Sequence, residues 1–323
     1  MDERTVANEN DCCGNGCVNC VLDVGLRKSV AIDRLGKHNI ISAYQKFRLL
    51  SKRPHNPKGE KSNNSEDDLP EVLELHFSVA ELPNNASDYI LEIPAGHHVM
   101  MRAILPSGLV WLRPYSPFWV DVLAMEFKIL VNLAPNGPMS RFISSLQVGD
   151  SVEFRGPIGA PETITSRDTE RHIFVITQGV AIAPTLRIVK EILENDEDFS
   201  KVVQLVCYRD LQHAFFRDTL REFNKYWNYT NRIYLAHQRC PSDMCKNTEC
   251  SGKCAWFSKQ LWYKEAVFLR RLNETDLIDV CKCVNEGTNL EFVIAGDKRF
   301  QKIVAEMVEN SKVGFLEKNI LLL

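Results

Sequence analysis

Two periodicities divide the chain. Over residues 72–159 apolar side chains recur at every second position in short runs, whereas after residue 172 apolar strands alternate with stretches of helical spacing. In 72–79, Leu73, Leu75, Phe77 and Val79 alternate with polar neighbours, and 89–93 and 97–105 give two more strands around a Pro94-Ala95-Gly96 turn. Val110, Trp111 and Leu112 open another, 120–132 a further one, and 148–159 reads as a turn, a short alternating strand and a Gly156-Pro157 loop. Short strands at turn-punctuated intervals predict an antiparallel β-barrel.

The second half reads differently. Residues 172–176 are an apolar, partly β-branched strand that runs through Gly179 to Pro184, the first-turn residue of a helix over 185–194 with Leu186, Val189, Ile192 and Leu193 inward. A strand at 202–208 completes a βαβ unit. Helices follow near 215–226, 262–272, 276–283 and 299–309, with strands at 232–237, 290–295 and 319–323. This order predicts a doubly wound α/β domain. Ahead of the barrel, 39–50 is periodic enough for a short helix, and 51–68 shifts to Lys, Pro, Asn, Ser, Glu and Asp, the composition of a linker. The expected division is a Cys-rich module (1–50), a linker (51–69), the barrel (70–165) and the α/β domain (166–323), with the polar stretch 160–171 as the hinge between the last two.

Composition narrows the classes. At 323 residues the chain is long enough for two domains and an extension. With 45% hydrophobic and 25% charged residues it has an ordinary globular composition. A net charge of -3 and the lack of a basic stripe argue against nucleic acid as a partner. Met1-Asp2-Glu3-Arg4 is unlike a signal or transit peptide, Asp2 excludes a myristoyl anchor, and no run approaches the roughly 18 apolar residues of a membrane span. Eleven cysteines without a secretory signal point to reduced thiols and an intracellular, cytoplasmic protein, with mitochondrial association also compatible.

The candidate chemistry lies in two runs. Arg113, Pro114, Tyr115 and Ser116 follow an apolar strand and set a cation, an aromatic ring and a hydroxyl side by side. About twenty residues later, Gly137, Pro138, Met139 and Ser140 break the strand and open a helix whose apolar residues are Phe142, Ile143 and Leu146. Arg offers a planar fork of donors to a pyrophosphate, Tyr a flat apolar surface to an isoalloxazine, Ser a small hydrogen-bonding group to its ring nitrogen, and a helix start suits a phosphate. Taken singly, each run also reads as an unliganded strand end or capped helix.

In this order, and followed by Val148 to Gly159, these elements resemble the FAD-binding domain of the ferredoxin-NADP reductase superfamily, most of all the NADH-cytochrome b5 reductases. The resemblance runs from about residue 72 to the C-terminus and thins after Pro184. It implies FAD on the barrel, held by Arg113, Pro114, Tyr115, Ser116, Gly137, Pro138, Met139 and Ser140. Lys128 falls where the family keeps a nucleotide-holding lysine, and Gly179, Pro184 and Gly296 fall in the pyridine-nucleotide motifs. In relatives a hydride passes from NADH or NADPH to the flavin, and electrons leave singly to a haem protein such as cytochrome b5. Ser116 is then the side chain nearest to a catalytic role.

The family's Gly-Gly-Thr-Gly-Ile-x-Pro turn is represented by Gln178, Gly179, Val180, Ala181, Ile182, Ala183 and Pro184, and its Cys-Gly-Pro by Ala295, Gly296 and Asp297. A carboxylate at Asp297 would repel an anionic ligand. These departures support a rival reading, a flavin-binding assembly or interaction module whose pyridine-nucleotide site is degraded.

Cysteines add a further candidate. Cys12, Cys13, Cys17 and Cys20 lie within nine residues among glycines, close enough to enclose a tetrahedral zinc or an iron-sulfur cluster, and this segment resembles a short oxidoreductase-like N-terminal module. Free thiols in an arm are the alternative. Cys240, Cys245, Cys250 and Cys254 form a second group in a polar loop and read as a staple, while Cys207 and at least one of Cys281 and Cys283 read as ordinary burial.

Overall fold

The computed structural model describes residues 36–55, 72–82, 85–104, 108–134, 137–159, 171–237, 254–282, 284, 288–311 and 318–323. The chain divides into two compact units. In the first, β1 (His38–Asn39) bridges β4 (Tyr89–Ile90). The other strands are β2 (Gln45–Pro54), β3 (Val72–Val79), β5 (His98–Ile104), β6 (Val110–Tyr115), β7 (Pro117–Asp121), β8 (Glu126–Asn132) and β9 (Ser151–Ile158). They form one seven-stranded sheet in the order β6-β5-β9-β2-β3-β8-β7, with every pairing antiparallel.

The two outer strands of that sheet, β6 and β7, are consecutive in the chain with Ser116 alone between them. One residue spans at most about 3.6 Å, so the sheet must curl until its edges meet. The chain pairs with β5 up to Tyr115, changes partner at Ser116 and pairs with β8 from Pro117 onward. Alternation supplies the interior: Phe47, Phe77, Phe127 and Phe154 are fully buried, and their rings contact one another at centroid distances of 4.9 to 5.8 Å. Polar pairs occupy other positions on the same strands, with His76 2.9 Å from Glu126 and Arg102 2.7 Å from Glu153.

Several sequence expectations change here. The helix expected over 39–50 is a single 3-10 turn, Ile40–Ser42, followed by β2. Phe47 and Leu49 lie two apart, so a helix would turn them to different sides, whereas a strand buries both. Residues 51–54, read as the start of the linker, complete β2. The strand expected over 120–132 is interrupted by a turn in which the Asp121 carboxylate accepts the N–H groups of Leu123 and Ala124 and Met125 takes φ 54°. Only Tyr89–Ile90 of 89–93 is strand, and Gly156 and Pro157 lie inside β9 rather than in a loop after it.

After residue 170 the elements are β10 (Arg171–Gln178), a helix Ala183–Leu193, β11 (Lys201–Tyr208), a helix Arg217–Phe223, β12 (Tyr229–Leu235), a helix Ala255–Gln260, β13 (Val267–Phe268), a helix Glu274–Cys281, β14 (Asn289–Ala295), a helix Lys298–Asn310 and β15 (Lys318–Leu322). The sheet is parallel throughout, in the order β13-β12-β11-β10-β14-β15. The doubly wound expectation is met in its strand order, but the helix expected over 262–272 does not form. Lys264 takes φ 61° and Val267–Phe268 pairs with β12, where the Phe268 ring stacks on Tyr234 at 5.1 Å. Among the described residues no helix is long and apolar enough to cross a membrane.

A buried charge anchors the start of the central strands. Arg171 is 1% exposed; its Nε donates to Ser200 Oγ at 3.0 Å, one terminal nitrogen lies 2.9 Å from Glu291 Oε2, and the other lies 3.5 Å from Asp198 Oδ2. These partners sit on β14 and just ahead of β11, the two neighbours of β10. Removing the guanidinium strands two buried carboxylates, so Arg171→Ala should lower unfolding free energy by about 3–5 kcal/mol, measured by urea denaturation. A loss below about 1 kcal/mol, the size of a surface pair, would show that the cluster is not an anchor.

Candidate functional site

The Arg-Pro-Tyr-Ser run ends β6 and crosses the point of partner change. Arg113 and Tyr115 stand opposite Met101 and Val99, two buried residues of the core, and share a strand face with Trp111. The half-buried Arg113 donates to the Leu112 carbonyl at 2.7 Å, and its guanidinium lies 5.6 Å from the Trp111 ring. Tyr115 is half-buried against the core, and burial raises its phenol above the ordinary range. Ser116 itself lies between the strands.

The second run opens α1 (Pro138–Ser145), and α1 packs against β6. The helix begins at Pro138, because Gly137 acts as N-cap and proline suits the first turn. Met139 and Ile143 are buried and seat the helix on the core. The Ser140 hydroxyl accepts the Ala134 N–H at 3.0 Å, and a Cβ added to Gly137 would stand 3.0 Å from that oxygen. The glycine therefore leaves room for the serine, and the serine ties the entering loop to the helix. The first N–H groups of an α-helix have no intrahelical partner. The cation, the ring, the hydroxyl and a helix start thus lie together in one unit, and this donor set fits the phosphate and ring of a dinucleotide flavin.

Lys128 lies on β8. It lies between the core residues Phe127 and Ile129, with its Nζ 5.1 Å from the Trp119 ring and 3.9 Å from Glu74 Oε1, on the side opposite the core. In that register it pairs with His76, and β8 also contacts β6, the strand of Arg113.

A second site is defined by topology. The chain leaves β10 toward β11 on one side, while β14 lies on the other, so the strand order reverses between β10 and β14. In open parallel sheets ligands bind beyond the C-terminal ends of the strands at such a switch point. Gly179 follows β10 with φ 57°, a conformation that favours glycine, and a Cβ there would meet nothing within 4 Å. Pro184 sits in the first turn of α2 (Ala183–Leu193). The Thr177 hydroxyl, opposite Ala295 in register, is buried with no hydrogen-bond partner among the described residues. These features suit a ligand.

The other side of the crevice is filled. A Cβ on Gly296 would stand 2.5 Å from Phe300 Cδ1 and 3.1 Å from Gln178 Cβ. Asp297 is the N-cap of the helix Lys298–Asn310, its carboxylate accepting the Phe300 N–H at 2.8 Å, while its own N–H donates to Gln178 Oε1 at 3.3 Å. Sequence comparison singled out Asp297 but not Gln178 or Phe300. A glutamine in a glycine position of the turn was the signal available.

Cys12, Cys13, Cys17, Cys20, Cys240, Cys245, Cys250 and Cys283 lie outside the described residues. The Cys254 sulfur accepts the Phe257 N–H at 3.3 Å, Cys281 is buried, and burial pushes the Cys207 thiol up to about 12. Among the described residues no group of three or more His, Cys, Asp or Glu side chains could hold a metal ion.

Comparison with known proteins matches residues 75–162 to the oxidoreductase FAD-binding domain. The chain carries an FAD-binding oxidoreductase domain. Over 153 residues it is 30% identical to the plasma membrane-associated coenzyme Q6 reductase PGA3 of Saccharomyces cerevisiae, a match that covers 47% of each protein, so the chain spans about half the length of that relative. It is 23% identical over 247 residues to the NADH-cytochrome b5 reductase-like protein of Mus musculus, covering 73% of this chain and 74% of that one. Among solved structures, the CS-b5R domains of human Ncb5or in the NAD+ form superpose with a TM-score of 0.63 at 16% identity, covering 86% of this chain and 69% of that one. The fold is ferredoxin-NADP reductase-like, an antiparallel barrel-like sheet and a parallel α/β sheet.

One titration follows from the barrel geometry. His98 opens β5 next to the Val99–Tyr115 pair and stands opposite Ile158 of β9. Burial, with His97 as a lesser cause, pushes its imidazole down to about 4 from 6.5. The unfolded chain therefore binds more protons than the folded one between these values, and stability is lost as pH falls from about 6.5 toward 4. His97 is shifted in the same direction, chiefly by burial. His98→Asn should make the fall in urea midpoint between pH 7 and pH 5 shallower, and an unchanged slope would refute its neutral burial.

Proposed function

We propose that this chain is an FAD-dependent oxidoreductase that passes electrons from NADH or NADPH through flavin to a one-electron acceptor such as the haem of cytochrome b5. The observation that carries the reading is the packing of α1, which the Gly137–Ser140 run opens, against β6, which carries Arg113 to Tyr115, within the matched FAD-binding region. Arg113 would hold the pyrophosphate through charge-assisted hydrogen bonds, with the first-turn N–H groups of α1 as further donors. Tyr115 offers its ring to the isoalloxazine, and Ser116 its hydroxyl to a ring nitrogen. Bound there, the cofactor supplies the exchange between a two-electron donor and a one-electron acceptor. In this reading the residues would orient and bind, no side chain need move a proton, and Ser116 would be the side chain nearest to a catalytic role.

The reading of a pyridine nucleotide as donor draws support from the switch point, Gly179, Pro184 and the names of the relatives. The reading of a haem-protein acceptor rests on those names alone. A second reading, a flavin-binding interaction module without an electron donor, is favoured by Gln178, Asp297 and Phe300, which fill one side of the crevice.

Two measurements test this. Arg113→Ala should weaken FAD binding about tenfold or more, the loss of a hydrogen bond to a charged group, as read by flavin fluorescence on dilution, and retention equal to wild type would remove Arg113 from the site. Anaerobic mixing of the FAD-loaded protein with NADH, and separately with NADPH, should bleach the visible flavin band. A spectrum unchanged over minutes with both donors would favour the interaction module.

A further inference from the structure

We infer that Gln178 is the side chain that closes the nucleotide crevice. It lies across the switch point between β10 and β14 and must swing out before a pyridine nucleotide enters. The inference rests on the reading of that crevice as the electron donor's site.

The geometry is local to the parallel sheet. Gln178 is the last residue of β10 to pair with β11, opposite Cys207, and the β10–β14 register that sets Thr177 against Ala295 brings it beside Gly296. Its Cβ lies 3.1 Å from where a Gly296 Cβ would stand, and its Oε1 reaches over to accept the Asp297 N–H. The side chain thus spans the two strand ends that bound the crevice. It also takes up a donor at a helix start, one of the groups that would otherwise face a ligand anion. A glutamine is suited to this because it is long enough to cross and carries an acceptor at its tip.

The closure is reversible in kind. The contact is 3.3 Å long, at the far end of the hydrogen-bond range, and Gln178 is half-buried rather than locked in the core. Beyond it, Gly179 leaves open space and the Thr177 hydroxyl has no partner among the described residues. The Phe300 ring beside Gly296 and the Asp297 carboxylate on the Phe300 N–H make these contacts without using Gln178. Displacing Gln178 opens the crevice without dismantling the helix behind it. When the competent conformer is a minor one, apparent affinity falls by its population, so removing the side chain raises affinity.

The test uses the full chain, FAD-loaded, as wild type, Gln178→Gly and Gln178→Ala. Alanine keeps a Cβ on the strand and guards against a fold lost to glycine, and flavin content with thermal midpoint reports folding. NAD+ is titrated by calorimetry, so that no redox step enters the readout. Both variants should bind NAD+ about tenfold more tightly than wild type, the change expected if the open form is about a tenth of the population. Binding that is unchanged, weaker or undetectable in folded variants overturns the inference, the weaker case assigning Gln178 as a ligand contact instead. Bleaching of the flavin by NADH is scored separately. Tighter NAD+ binding without bleaching in any form would leave the closure standing while removing the electron-donor reading.

Discussion

A single residue joins the two edges of the seven-stranded sheet, and the first unit depends on that constraint. Because β6 and β7 are consecutive, the sheet has to close on itself, and closure brings Phe47, Phe77, Phe127 and Phe154 from four strands into one interior. Such a barrel has no long open edge, the usual liability of antiparallel sheets. It does have a seam. At the seam the strand gives up β5 before taking β8, and the residues on either side are Tyr115 and Pro117. A place where backbone pairing is handed from one neighbour to another is also where a ligand can approach the strand. The flavin-type run falls there, with α1 packed beside it.

The parallel sheet is held by a different economy. Its centre is apolar, but Arg171, Glu291, Asp198 and Ser200 occupy the entry ends of its middle strands in a buried polar cluster. A cluster of this kind adds little net stability over apolar packing and penalises any misaligned state, because a strand shifted in register would leave a buried charge unpaired. With the entry ends so pinned, the exit ends of β10 and β14 carry Thr177, Gln178, Ala295 and Gly296 in fixed register. The crevice geometry is thus set from the opposite end of the sheet.

Much of this was legible in the chain. The change of periodicity gave the two architectures, and paired motifs gave the two runs that lie at the end of β6 and at the start of α1. What escaped was non-local. Residues 39–50 have a pattern short enough to read as a helix, and only pairing with β3 and β9 decides that they are a strand. Arg171 ends a polar stretch that reads as a hinge, since the carboxylate that pairs with it at 2.9 Å lies 120 positions away. Residues 262–272 are apolar enough for a helix, yet the free edge of the sheet recruits Val267 and Phe268 instead. Gln178 and Asp297 are 119 positions apart and meet only because the strand order reverses between them.

Asp297 shows how one substitution can serve the fold at the expense of a ligand. Read from the sequence, its carboxylate is a charge that repels an anion. In the structure it is first a helix cap, satisfying the Phe300 N–H and complementing the positive end of the helix Lys298–Asn310. These are the same donors and the same field that make a helix start attractive to phosphate. An intramolecular carboxylate is always present at its site, so an incoming anion has to compete with it for the donors while also meeting its charge. The crevice therefore keeps its position, fixed by topology, and its turn, fixed by Gly179. Its anion-binding capacity on the β14 side is used internally. Any nucleotide that binds here must draw its affinity mainly from the β10 side, from the Gly179 turn and the start of the helix that follows it.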